Sequence, residues 1–226
     1  MKILALDAAT EACSAALYDD GSVDERFAIA PREHARLLLP MAQALLQRGG
    51  YGWRDLDALA FGRGPGAFTG LRIAAGLIQG LALGSQLPVL PVSNLAALAA
   101  RSMRLHGAQR ILVVNDARMN EVYFCSFDGS DKQGAPIPLG PEQLVDPARL
   151  CDQVGDCQWL PAGNAWAACA APLAPLAARL AAPLECHAHA EDIATLAAVA
   201  FARGEAKSAE QALPVYLRNQ IATPVR

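Results

Sequence analysis

Lysine is nearly missing from this chain: Lys2, Lys132 and Lys207 are the whole complement in 226 residues. That scarcity bears directly on phosphate chemistry. A Walker A loop needs a lysine followed by Ser or Thr after its last glycine, so that the ammonium reaches the β- and γ-phosphates, yet Gly70 is followed by Leu71. An excess of positive charge is missing too: 19 Lys and Arg face 22 Asp and Glu, giving a formal net charge of -3 and a pI near 5.8. No overall basic field is present to hold nucleic acid nonspecifically, so any RNA contact requires a local patch or a partner. No apolar run reaches the ~18 residues of a membrane helix, because Gln79 and Pro88 interrupt the best candidate and Pro172, Pro175 and Pro183 the alanine-rich one. Asp7 falls where a signal peptide would keep its apolar segment running, so a cytoplasmic location is expected and secretion is not.

Cysteine is present but without a framework. Cys13, Cys125, Cys151, Cys157, Cys169 and Cys186 match the spacing of neither a zinc ribbon nor a compact secreted fold, which leaves reduced, mostly buried thiols as the expectation. Cys186-His187-Ala188-His189 gathers soft ligands, yet no second ligand pair lies nearby, so it reads as a chance surface cluster and no metal site is expected.

With 53% hydrophobic residues the chain can bury a substantial core as one large domain or two lobes. An apolar run ends at Asp7, a polar loop follows, and strands are predicted near 13–18 and 23–28. Pro31 and Arg32 introduce a helix over 33–48, ended by Gly49-Gly50. A strand over 56–61, a glycine-rich loop, a helix over 69–84, a strand over 87–92 and a helix from Asn94 to about Leu105, capped by Ser93, complete a first half. The second half opens the same way. A strand over 111–115 ends beside Asp116, a loop follows, and a strand over 121–127 leads into a turn. A third strand near 135–139, a helix over 141–151, a strand near 158–160 and helices over 164–170 and 192–203 continue the order.

This repeated βββαβα order predicts an α/β, two-lobed fold of the actin, sugar kinase and Hsp70 superfamily. Residues 1–106 would form the first lobe, residues 107–212 a more degenerate second lobe, and the tail 213–226 would pack back on the first. In such folds hairpin loops grip phosphates through backbone N–H groups, and aspartates act through a metal ion or water. Asp7, Thr10 and Asp116 are therefore the candidate nucleotide-proximal residues, although aspartates also commonly bind turn amides.

Two stretches leave alternatives open. Gly62-Arg63-Gly64-Pro65-Gly66-Ala67 fits the loose dinucleotide fingerprint, but the strand end Leu90-Pro91-Val92-Ser93-Asn94 carries no carboxylate to hold a ribose. It is either a phosphate-approaching loop or a strand-to-helix turn with Thr69 as N-cap. Farther on, Gly76, Gly80 and Gly84 recur every four residues and share one helix face. They allow another backbone to come close, whether the chain's own or a partner's.

Leu6-Asp7-Ala8-Ala9-Thr10-Glu11-Ala12-Cys13-Ser14, Pro31-Arg32-Glu33-His34, Gly62 through Arg72, Asp116-Ala117-Arg118-Met119 and Pro214-Val215-Tyr216-Leu217-Arg218 together resemble the bacterial TsaB family, also called YeaZ. The resemblance covers the whole chain. It implies a noncatalytic cytoplasmic subunit of the machinery that attaches threonylcarbamoyl to N6 of adenosine 37, in tRNAs reading codons that begin with A. The implied partners are the catalytic paralogue TsaD and the ATPase TsaE, with tRNA reached only through the complex and no membrane involved. TsaD carries a metal-binding pair of histidines four positions apart; the corresponding places here fall on Asn94 and Leu98, and leucine cannot bind a metal. No catalytic residue and no tightly bound cofactor are expected, and ATP only within the complex. The resemblance also implies pairing through first-lobe helices, with TsaD or with a second copy. The surface expected to serve is Leu37, Leu38, Met41 and Leu45 beside Ile73, Gly76, Leu77, Gly80 and Gly84. Two other readings are a nucleotide-dependent phosphotransferase of the same superfamily and a regulatory dimer outside tRNA modification.

Overall fold

The computed structural model describes residues 1–155 and 158–218. The first sheet is built from β1 (Lys2–Asp7), β2 (Ala12–Asp19), β3 (Ser22–Ile29), β4 (Ala58–Gly64) and β5 (Val89–Ser93), in the order β3-β2-β1-β4-β5. β1 pairs antiparallel with β2 and parallel with β4, and β4 runs parallel to β5. Its central strands are covered on both faces, which is why β1 and β4 read as near-continuous apolar runs and bury Ile3, Leu4, Leu6, Leu59 and Phe61 completely. β3, at the edge, carries Asp24, Glu25 and Arg26, charges that discourage pairing with another chain.

Three helices follow the strands of this half: α1 (His34–Gly49), α2 (Phe68–Ser85) and α3 (Asn94–His106). Gly50, at φ 75°, stops α1 by donating its N–H to the Leu46 and Gln47 carbonyls. Ser93 caps α3 as the sequence predicts, its hydroxyl accepting from the Ala96 N–H at 3.1 Å. Thr69 does not cap α2: the N-cap is Ala67, and Thr69 lies in the first turn. β4 also runs on to Gly64 rather than stopping at Phe61, so the first glycines belong to the strand.

The second sheet contains β6 (Arg110–Asp116), β7 (Val122–Ser130), β8 (Pro136–Pro138), β9 (Gln143–Val145) and β10 (Leu160–Ala162). Read as β8-β7-β6-β10, its pairings run antiparallel, antiparallel, parallel, the same sense as β3-β2-β1-β4. The expected helix over 141–151 is corrected. Gln143–Val145 pairs with Val122–Phe124 as β9, and helical geometry starts only at Pro147, where Asp146 accepts from the Ala148 N–H. A free sheet edge beside β7 outweighed local helix propensity there. The remaining helices are α4 (Leu150–Gln153), α5 (Ala165–Ala168), α6 (Ala170–Ala177) and α7 (Ala190–Ala202).

Three apolar layers hold the elements. α1 and α2 cover the outer face of the first sheet, α4 to α6 that of the second, and α3 and α7 fill the space between the sheets. α7 follows the second sheet in sequence but lies on the first, and its N-terminus is capped from there. Ser14 Oγ accepts from the Ala190 N–H at 2.9 Å and Glu25 Oε1 from the Glu191 N–H at 3.0 Å. Arg104 ties α3 to α7 through Glu191 at 2.8 Å and Asp192 at 2.9 Å. The return to the first lobe begins before residue 213: Lys207 bridges Val89, and Ala209 and Ala212 sit in the α2 layer. Residues 219–226 of the expected tail lie outside the described residues.

Candidate functional site

Every glycine from the end of β4 to the first turn of α2 is pressed against the chain's own atoms. A Cβ at Gly70 would stand 1.8 Å from the Ala8 carbonyl oxygen, one at Gly66 2.5 Å from that of Ala9, and one at Gly62 2.2 Å from Asp7 Oδ1. The Ala67 N–H donates to the Ala9 carbonyl at 2.7 Å. Backbone of the β1–β2 turn thus occupies the close-approach space that a phosphate-gripping loop would offer. The stretch is a strand-to-helix turn packed on the chain's own backbone, and Gly66 to Gly70 also line the open cleft between the two halves. The second half does the same on a smaller scale, since a Cβ at Gly163 would meet the Val114 carbonyl oxygen at 2.3 Å.

Asp7 lies under this turn and does not face solvent, being 1% exposed. Its Oδ1 accepts from Asn94 Nδ2 at 2.6 Å, and Asn94 Oδ1 accepts from the Gly64 N–H at 2.7 Å. Burial pushes the Asp7 carboxyl up to about 6, against the opposing pull of the Asn94 hydrogen bond. Its expected place beside a nucleotide is therefore corrected: the side chain is sealed beneath the glycine turn and works as a structural anchor. Leu98, the other position compared with a metal-ligand pair, is fully buried in apolar surroundings. Among the described residues no group of three or more His, Cys, Asp or Glu is gathered to hold a metal ion.

Thr10 and Asp116 line an open cleft of about 720 Å³ between the two halves. One wall is the β1–β2 turn with the N-terminal ends of α1 and α2; the other is the β6–β7 turn. His34 Nε2 donates to the Thr10 carbonyl at 2.9 Å and fixes α1 to the first wall. The β6–β7 turn is strained, because Arg118, Met119 and Asn120 have φ of 62°, 56° and 58° in succession. Left-handed backbone is unfavourable for residues with a Cβ and persists where neighbours over-determine it. Those neighbours are visible: Arg118 pairs with Asp116 at 3.0 Å and, across the cleft, with Glu11 at 2.8 Å.

Val215, Tyr216 and Arg218 supply the rest of the cleft, where the sequence predicts only that the tail packs back on the first lobe. The Val215 N–H donates to the Arg63 carbonyl at 2.7 Å, and the Val215 oxygen fills the space that a Gly64 side chain would take. Tyr216 packs at 5.2 Å between ring centroids on Phe68, and its hydroxyl accepts from Arg72 Nε at 3.2 Å, while the Arg72 guanidinium lies 3.7 Å over the Phe68 ring. Arg218 reaches the opposite wall, donating to the Arg118 carbonyl at 3.2 Å and pairing with Glu121. The usable signal in the sequence was the joint presence of Phe68, Arg72 and Tyr216, two aromatics and a stacking cation.

The helix face presents a second surface. Gly76, Gly80 and Gly84 are exposed, and among the described residues a Cβ built on each meets nothing within 4 Å. Packing among the described residues therefore does not require these glycines. Leu37, Met41, Ile73 and Leu77 are half-buried along the α1–α2 seam beside them. Leu38 and Leu45 are corrected: at 0% and 1% exposure they belong to the core beneath α1, because their side of the helix faces the sheet.

Other expectations resolve locally. His187 and His189 are half-buried and diverge, the first to Thr10 Oγ1 at 3.2 Å, the second to Glu25 at 2.7 Å and stacked on Phe27, so they do not form a surface cluster. Arg63 pairs with Glu142 at 3.2 Å, and Arg36 pairs with Glu33. Cys13 and Cys125 are buried, Cys151, Cys169 and Cys186 half-buried, and Cys157 lies outside the described residues. No described helix is long and apolar enough to cross a membrane.

Comparison with known proteins converges on one group. Residues 28–222 match the family described as "TsaD: tRNA N6-adenosine threonylcarbamoyltransferase". Over 229 residues the chain is 41% identical to the tRNA threonylcarbamoyladenosine biosynthesis protein TsaB of Escherichia coli (strain K12), covering 98% of this chain and 96% of that protein. A protein of the same name from Haemophilus influenzae is 43% identical over 74% of each chain. The solved structure "YeaZ from Pseudomonas aeruginosa" superimposes with a TM-score of 0.85 at 44% identity, over 96% of this chain and 99% of that one.

Proposed function

The chain belongs to the TsaB (YeaZ) family, and from that premise we propose that it is a noncatalytic subunit needed for N6-threonylcarbamoylation of adenosine 37 in tRNAs reading codons that begin with A. It takes part in tRNA threonylcarbamoyladenosine biosynthesis by docking on and activating a TsaD-like catalytic paralogue, and it works with a TsaE-like ATPase in the cytoplasm. The matching family model is described by the catalytic relative, whereas the Escherichia coli relative matched over 96% of its length is a TsaB protein. An accessory role fits the interior of this chain, where Asn94 and Leu98 stand at the positions compared with the paralogue's ligand pair and serve packing.

The observation that carries the docking role is the exposed stripe of Gly76, Gly80 and Gly84, which nothing among the described residues approaches. Glycine costs about 1 kcal/mol relative to alanine within a helix, so three exposed glycines at four-residue spacing suit a surface on which another helix packs closely. The half-buried Leu37, Met41, Ile73 and Leu77 flank it with apolar area. The same face suits a second copy of the chain in the absence of the paralogue. Any ATP would be held only in the complex, and tRNA is reached only through it. The phosphotransferase reading has less support, because Asp7 is sealed from the cleft.

Copurification tests this directly. Gly80→Leu should abolish recovery of the TsaD-like partner while circular dichroism of the free chain stays unchanged. Recovery at the wild-type level would remove this face from the account. Magnesium-ATP titrated into the isolated chain should give no saturable signal, whereas tight binding would favour the phosphotransferase.

A further inference from the structure

Arg72, Gly76, Gly80 and Gly84 recur at four-residue intervals and share one face of α2. Tyr216 sits at the head of that face, its hydroxyl on Arg72 and its ring on Phe68. Two residues later, Arg218 grips the carbonyl of Arg118 and the carboxylate of Glu121 on the opposite wall of the cleft. Residues two apart stand at most about 7 Å from each other in extended chain, so neither anchor can move far without the other. Val215 adds a backbone bond to Arg63, which fixes where the segment leaves the first lobe.

We propose that residues 215–218 form a latch that couples the docking face of α2 to the cleft between the halves. A partner packed along the glycine stripe meets Arg72 and Tyr216, and the grip of Arg218 on the strained β6–β7 turn changes with it. The latch rests on the reading that the α2 face receives the partner. It goes beyond that reading in assigning Tyr216 and Arg218 as positioning residues for a turn that lies on the other half of the molecule.

Hydrogen exchange resolved at single amides tests the latch in the free chain. Ala67, whose N–H is held by Ala9, reports on the first wall; Ala117 and Glu121, held by the carbonyls of Glu121 and Arg118, report on the second. Arg218→Ala should raise exchange at Ala67 at least tenfold, and Tyr216→Ala should do the same at Ala117 and Glu121, each variant acting on the wall it does not touch. Amides of β1 and β6 should keep their protection. Effects confined to the wall each side chain touches would overturn the latch, and so would a general rise that includes β1 and β6. If Arg218→Ala does not fold, Arg218→Lys retains the charge but loses the forked grip, and the same reciprocal pattern at smaller amplitude is required of it. With the TsaD-like partner bound, the wild-type turn should change its exchange at least threefold and the Tyr216→Ala turn should not. Absence of any complex would count against the docking face, whereas a complex that leaves the wild-type turn unchanged would count against the latch alone.

Discussion

Replacing Gly76 and Gly80 together by alanine should make the free chain more stable, not less. Each position lies in the interior of α2, away from its ends at Phe68 and Ser85, and among the described residues an added methyl group meets nothing within 4 Å. The gain is then the helix propensity difference alone, about 0.8–1 kcal/mol per site and about 2 kcal/mol for the pair. For a chain of this size that corresponds to a rise of roughly 4–8 °C in Tm. Urea titration should show a higher midpoint at unchanged slope, since the area exposed on unfolding hardly changes. In the same variant, affinity for the TsaD-like partner should fall by roughly 10–100-fold, the effect of about 1–3 kcal/mol of overpacking at a close helix contact. Reduced stability of the free chain would refute the reasoning, because it would mean that the glycines serve internal packing.

Gly70→Ala should act in the opposite direction, costing about 3 kcal/mol or preventing folding, because the new carbon would stand 1.8 Å from the Ala8 carbonyl oxygen; urea titration measures it. Leu38→Ala should cost about 2–5 kcal/mol in the same assay, as for any fully buried leucine, and Leu37→Ala much less. Asp7 makes stability depend on pH with a definite sign. Its folded value of about 6 lies above the ordinary 3.8, so the neutral form favours folding; stability is fully present below about pH 4 and falls by roughly 3 kcal/mol as pH rises through 6. Asp7→Asn should remove that component, and a wild-type minus variant stability difference that stays flat between pH 4 and 7 would count against the assignment.

Much of the fold could be read along the chain because its strands and helices carry period and punctuation. The run ending at Asp7, the Gly50 stop of α1 and the Ser93 cap of α3 each have a local physical cause. β9 had none: Gln143–Val145 is a strand only because the edge of β7 lies beside it, a tertiary fact. Periodicity placed Leu38 and Leu45 on an apolar face of α1 but could not separate the part that meets the sheet from the part left beside α2. Asp7 was legible as a strand-end carboxylate, and its burial was not, because the lid over it comes from Gly62 and Asn94, far away in sequence. The tail was legible as a motif and as a segment returning to the first lobe; its bridging contacts became visible once Arg72 and Arg118 were placed on opposite walls of one cleft.

The central claim is that an exposed glycine face lets this chain support modification chemistry carried out by another subunit. Quantifying threonylcarbamoyladenosine in bulk tRNA from cells depleted of the protein, then supplied with either the wild-type chain or Gly80→Leu, tests it most directly. The account predicts loss on depletion, recovery with the wild type and no recovery with the folded variant. Unchanged nucleoside on depletion, or full recovery with Gly80→Leu, would contradict it.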